Sequence, residues 1–143
     1  MALNVDHLLR TAATLEQALL ALEKTPSSED ILFDLYRNAA IKSFELSLET
    51  AGKLLRKALK LYAGSPRSVD ALVFNDLLRH AGKHGLLDAD GVERWLAYRA
   101  NRNNTAHDYG EGFANDTLKL LPVYLADVRA LAGKLQEVFD AAS

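Results

Sequence analysis

Residues 29–62 read EDILFDLYRNAAIKSFELSLETAGKLLRKALKLY, a run of 34 positions with no proline and one glycine, Gly52. Leu35, Tyr36, Ala39, Phe44, Leu48, Ala51, Leu55 and Leu59 follow the helical period and mark one apolar stripe. At 1.5 Å per residue such a helix spans about 50 Å, which suits the spine of a bundle. Just before it, Thr25-Pro26-Ser27-Ser28-Glu29-Asp30 combines a break with a helix start, and its acidic groups fall in the first turn.

The flanking segments are helical too. Upstream, Leu8, Leu15, Leu19 and Leu22 place a first helix over roughly 4–24. Downstream, Ala63-Gly64-Ser65-Pro66 ends the spine, and a third helix is expected over roughly 67–83, stopped by Gly85. Asp88 or Asp90 caps a fourth helix carrying Val92, Trp95, Leu96 and Tyr98, which ends near Tyr109 ahead of Gly110 and Gly112. A last helix starts around Asn115 to Thr117 and runs through Leu118, Leu121, Leu125, Val128, Leu131, Leu135 and Val138. Pro122 should kink it or fall in its first turn. No segment alternates as a strand does. The expectation is an all-α, antiparallel four- to five-helix up-and-down bundle, with residues 1–143 as a single helical domain.

The composition limits the function classes. With 49% hydrophobic and 25% charged residues the chain is an ordinary globular one. It has no cysteine, which removes disulfides and thiolate metal sites. No uninterrupted apolar run is long enough to span a membrane. The start Met1-Ala2-Leu3-Asn4-Val5-Asp6 lacks the pattern of a secretory signal, so a cytoplasmic protein is expected. The net charge of -2 is unevenly spread. Residues 1–50 carry four basic and eight acidic groups, residues 51–107 ten and five, and residues 108–143 three and six. The basic stretch therefore runs into Arg102-Asn103-Asn104-Thr105-Ala106-His107-Asp108-Tyr109, where it would favour a phosphate ligand.

That segment holds the chemistry. An arginine grips phosphate through forked, charge-assisted hydrogen bonds, and a histidine moves protons near neutral pH. Together they are the minimum for cutting RNA without a metal. The spacing alone is weak, because Arg79 and His84 share it and are followed by Gly85-Leu86 rather than a tyrosine. Five positions along a helix turn a side chain by about 140°, so Arg102 and His107 do not share a face. Either the helix unwinds near His107 or a second protomer supplies the missing group. In a twofold dimer one histidine could take the proton of a 2′-hydroxyl while the other protonates the leaving oxygen. Arg102 would stabilise charge at phosphorus, and Asn103 could position the scissile phosphate. The plainer alternatives are a histidine capping carbonyls, an Arg102 surface ion pair and a packed Tyr109.

Other constellations are weaker. Asp88-Ala89-Asp90 has the carboxylate spacing of a magnesium site but sits at a helix start, where capping explains it. His80 and His84 lie at i and i+4 without the intervening glutamate of a metalloprotease or a third ligand nearby, so no metal is expected. Glu45, Glu49 and Lys53 read as a charge ladder along one helix face, with a buried polar contact at a dimer or partner surface as the sharper alternative.

Several of these features recur in one order: Tyr36-Arg37, Phe44-Glu45 and Glu49, Gly64-Ser65-Pro66-Arg67, Gly85-Leu86-Leu87, Trp95-Leu96, and Arg102-Asn103 through His107 and Tyr109. Over about residues 30–125 the chain resembles the HEPN superfamily. More narrowly, it is similar to the HepT-like proteins of the nucleotidyltransferase substrate-binding type. The resemblance implies a helical homodimer with Arg102 and His107 of both chains in a shared cleft. It implies a metal-independent endoribonuclease with no cofactor, acting on RNA as the toxin of a toxin–antitoxin pair. The antitoxin would be a minimal nucleotidyltransferase that silences the nuclease by transferring AMP to Tyr109. Asp108 stands where relatives often carry a small hydroxyl residue, and an acid there would tend to raise the pKa of His107. The rival reading is a non-catalytic substrate- or nucleotide-binding subunit of a nucleotidyltransferase; a purely structural helical dimer is the third.

Overall fold

The computed structural model describes residues 4–62, 65–105 and 111–142, with side chains described up to 102 and again from 115. Six helices make up the described chain: α1 (Asp6–Glu23), α2 (Ile31–Lys60), α3 (Pro66–Asp70), α4 (Phe74–Lys83), α5 (Ala89–Thr105) and α6 (Glu111–Ala142). Five are long, and α3 is little more than one turn, so the bundle anticipated from the apolar periods is present.

The helix starts and stops have local causes. The Asp30 carboxylate accepts from the Leu32 amide at 2.9 Å and satisfies one of the free donors at the start of α2. The Asp88 carboxylate does the same for the Gly91 amide at 2.6 Å, so the Asp88–Asp90 pair opens α5. Gly85 has φ +78, the left-handed conformation that ends α4 and admits glycine without strain. At the spine's end, Pro66 stands in the first turn of α3, where its missing amide costs nothing; Ala63 and Gly64 lie outside the described residues.

Three expectations change. The last helix, expected to start around Asn115 to Thr117, starts at Glu111, so Pro122 falls inside it rather than in its first turn. The helix anticipated over 67–83 is broken at Ala71–Val73 into α3 and α4. Arg56 of α2 explains the break: its Nη1 donates to the carbonyl oxygens of Val69 and Leu72, each at 2.9 Å, taking acceptors that a continuous helix would use. The stripe on α2 also turns. Phe44, Leu48, Ala51, Leu55 and Leu59 are buried as expected, yet Leu35 is 58% exposed and Ala39 faces solvent. Near its start α2 buries Ala40 instead, with Phe33, Tyr36 and Arg37 half-buried beside it. The covered face there is the one that α1 and the beginning of α6 can reach.

α2 packs along α1 and α6 and, further on, against α4. α5 packs between α4 and α6. Tyr124 of α6 joins these layers. Its ring meets Phe44 of α2 edge to face at 4.8 Å, and Trp95 and Tyr98 of α5 at 5.6 and 5.0 Å. Its hydroxyl pairs with the Ser47 hydroxyl at 2.5 Å, and Ser47 in turn donates to the Phe44 carbonyl at 3.0 Å. Such edge-to-face pairs add about 0.5–1.5 kcal/mol each beyond area burial. Pro122 lies inside α6, two residues before Tyr124, where it removes one amide from the helical ladder.

Replacing Tyr124 by Phe keeps the ring and strands the Ser47 oxygen. It should cost about 1 kcal/mol of unfolding free energy. Trp95→Ala should cost about 3–5 kcal/mol through the cavity it leaves. Urea denaturation followed by circular dichroism measures both, and a Tyr124→Phe variant as stable as the parent would show that the hydroxyl pair contributes nothing net.

Candidate active site at the end of α5

Arg102 stands in the last turn of α5. The turns before it are held in place by Asp127 of α6. Arg94 donates to both oxygens of Asp127, at 2.8 and 3.0 Å, and the Tyr98 hydroxyl donates to Oδ2 as well. Burial draws the Asp127 carboxyl upward, but the hydrogen bonds from Arg94 and Tyr98 and the Arg94 charge outweigh it and leave the pKa below the ordinary carboxylate range. Burial is also the main reason that the Tyr98 phenol titrates well above its usual value, with the hydrogen bond to Asp127 adding to it. One residue before Arg102, Asn101 accepts at Oδ1 from the buried Thr117 hydroxyl at 3.0 Å, tying the end of α5 to α6.

Arg102 itself reaches α2. Its Nε lies 3.5 Å from Oε2 of Glu45, with side chains 32% and 25% exposed. Both side chains are partly buried, and the pair ties the guanidinium at the end of α5 to α2. Glu49 pairs instead with Lys53 at 3.5 Å along an exposed stretch of α2. The anticipated ladder therefore covers Glu49 and Lys53 only, and Glu45 turns across the bundle to α5. Asn103 belongs to α5, but its side chain lies outside the described part. His107, Asp108 and Tyr109 likewise lie outside the described residues. His84 stacks on Tyr62 with ring centroids 5.0 Å apart, and among the described residues no group of three acidic or histidine side chains gathers to hold a metal. No helix among those residues is long and apolar enough to cross a membrane.

Asp127 and the Asn101–Thr117 link had no assignment from sequence alone, and Glu45, read there with Glu49 and Lys53, meets Arg102 instead. Arg94 and Tyr98 do share a helix face at i and i+4, but their common acceptor lies 29 or more positions away, and no local pattern points to it.

The sequence matches the family described as "Nucleotidyltransferase substrate binding protein like" over residues 10–137, and the chain belongs to that family. It is 27% identical over 138 residues to the Haemophilus influenzae protein named "Probable ribonuclease HepT", covering 94% of this chain and 93% of that one. The fold is similar to a solved Haemophilus influenzae protein described as showing the fold of a substrate-binding domain of a nucleotidyltransferase. The TM-score there is 0.80 at 28% identity, over 92% of this chain and 98% of the other. A crystal structure from Thermus thermophilus aligns with a TM-score of 0.73 at 25% identity, over 90% and 98%.

The low pKa of Asp127 has a testable sign. Its pairing stabilises the fold above the unfolded carboxyl value of about 4 and is lost as pH falls through the lower folded value. Asp127→Asn should therefore melt several degrees below the parent at pH 7, with the gap closing below about pH 4. Thermal denaturation across pH checks this; a gap independent of pH would remove the ionised carboxylate as its cause.

Proposed function

We propose that this protein is a homodimeric, metal-independent endoribonuclease of the HEPN type, with Arg102 and His107 as its catalytic groups. The observation that carries the reading is Arg102: a half-buried guanidinium at the end of α5, set by Glu45, five positions before the histidine of the Arg-Asn…His-x-Tyr segment. Family membership and the likeness to a protein named as a probable ribonuclease support it.

In this mechanism one His107 takes the proton of an RNA 2′-hydroxyl, whose oxygen attacks the adjacent phosphorus. The partner subunit's His107 protonates the departing 5′-oxygen. Arg102 stabilises the negative charge that builds on the phosphoryl oxygens, and Asn103 helps to position the phosphate. Glu45 restricts the Arg102 guanidinium before substrate arrives, so less freedom is lost on binding. The dimer is supported by α2, where Ile31, Leu35 and Leu46 are 77%, 58% and 43% exposed. On a helical wheel all three fall within about 100° of Glu45, the residue that meets Arg102.

The toxin–antitoxin role belongs to the same reading. A minimal nucleotidyltransferase would transfer AMP from ATP to the Tyr109 hydroxyl, with pyrophosphate leaving. The new phosphate ester, two residues from His107, would repel and obstruct the RNA phosphate. A second reading follows from the descriptions of the family and of the solved relative: a substrate-binding subunit of a nucleotidyltransferase that cuts nothing.

Expression of the parent alone should arrest growth, and His107→Ala at equal soluble level should not. Purified protein should cleave RNA in the presence of a chelator. His107→Ala should abolish cleavage, and Arg102→Ala should slow it about 10²–10³-fold. Normal growth with abundant folded parent and no cleavage would overturn the nuclease reading in favour of the binding subunit.

A further inference from the structure

Four arginines are half-buried among the described residues: Arg37, Arg56, Arg99 and Arg102. Three have oxygen partners. Arg37 lies 3.6 Å from Asp34, Arg56 holds backbone carbonyls, and Arg102 faces Glu45. Arg99 forms no ion pair or hydrogen bond with a described residue; its guanidinium carbon lies 4.7 Å from the centroid of the Phe74 ring instead.

This placement is built into the packing. Phe74, the first residue of α4, rests on α2 at Gly52. A Cβ at position 52 would come within 2.6 Å of the ring carbon Cε2 and drive the ring away. The one glycine of the spine thus seats the ring that seats the arginine. A cation over an aromatic face is attracted by the ring quadrupole, by about 0.5–2 kcal/mol, but keeps its full charge and all its donors. A carboxylate partner would have neutralised it.

Arg99 precedes Arg102 by three positions, so the two side chains leave neighbouring points on one face of α5, with Cβ atoms about 5–6 Å apart. We propose that Arg99, ordered by Phe74, binds the RNA phosphate adjacent to the one that Arg102 grips, forming a second backbone subsite on α5. This rests on the RNA reading given above. Arg99 takes no part in the bond changes; it holds the strand in register with the cleavage site.

The test is binding of a labelled single-stranded RNA whose 2′-positions are all O-methylated, so that it cannot be cut. Fluorescence anisotropy would follow the parent, Arg99→Gln and Arg99→Lys over a series of salt concentrations, with melting temperatures confirming equal folding. Arg99→Gln should weaken binding about tenfold at low salt. It should also flatten the dependence of log affinity on log salt by about 0.7 for each phosphate no longer neutralised. Arg99→Lys should retain most of that slope because it keeps the charge. An Arg99→Gln slope equal to the parent's overturns this inference alone and assigns the arginine to a protein surface. Failure of the parent to bind the RNA at all overturns the RNA reading and this subsite with it.

Discussion

Tyr124 is the point on which the bundle turns. One ring from α6 touches Phe44 of α2 and both aromatic residues of α5, while its hydroxyl satisfies Ser47 in a place that water does not reach. Three helices far apart in sequence are thereby held in one relative register. Edge-to-face contacts are directional, and a buried hydroxyl pair is more so, because a displaced partner leaves an oxygen without compensation. A core of aliphatic side chains alone would tolerate sliding that this arrangement does not.

That register reaches the candidate site through α5. Trp95 and Tyr98 pack against Tyr124, and Tyr98 and Arg94 close on Asp127 one turn further along α6. Arg102 follows Tyr98 by four residues, close enough that little positional freedom accumulates. Asn101 and Thr117 then fasten the helix end. The guanidinium that meets Glu45 is thus the end of a braced rod, and such bracing matters where misplacement by about 1 Å can disable a catalytic group.

Glycine and arginine divide the labour where α2, α4 and α5 meet. Gly52 lets Phe74 approach α2, Phe74 carries Arg99, and Arg56 breaks the chain before α4 by taking the Val69 and Leu72 carbonyls. The break frees α4 to point its first residue at α2. A continuous helix over 67–83 would have carried Phe74 in its middle, in a different direction. Among the cations of residues 51–107, Arg56 pins backbone carbonyls and Arg99 rests on an aromatic face, while Lys60, Arg94 and Arg102 face acids.

Much of this is local in origin and legible in the sequence. The helices, the Asp30 and Asp88 caps, the left-handed Gly85 and the proline start of α3 all depend on residues within a few positions of one another. The Arg102-to-Tyr109 segment stands out for the same reason, since its residue types and their order are those that the proposed chemistry needs. What local pattern could not decide was which face of α2 would be covered near its start, whether residues 67–83 stay one helix, and which acid would meet Arg102. Leu35 and Ala39 fit a helical stripe as well as Phe33 and Ala40 do, and only the neighbouring helices choose between them. Glu45 and Glu49 are nearly equivalent on a helical wheel, but one is within reach of α5 and the other is not. The sequence by itself determined the elements and the reactive residue types, because those follow from short-range backbone preferences. The partners were decided by the tertiary structure alone, because they depend on how helices separated by tens of residues come to pack.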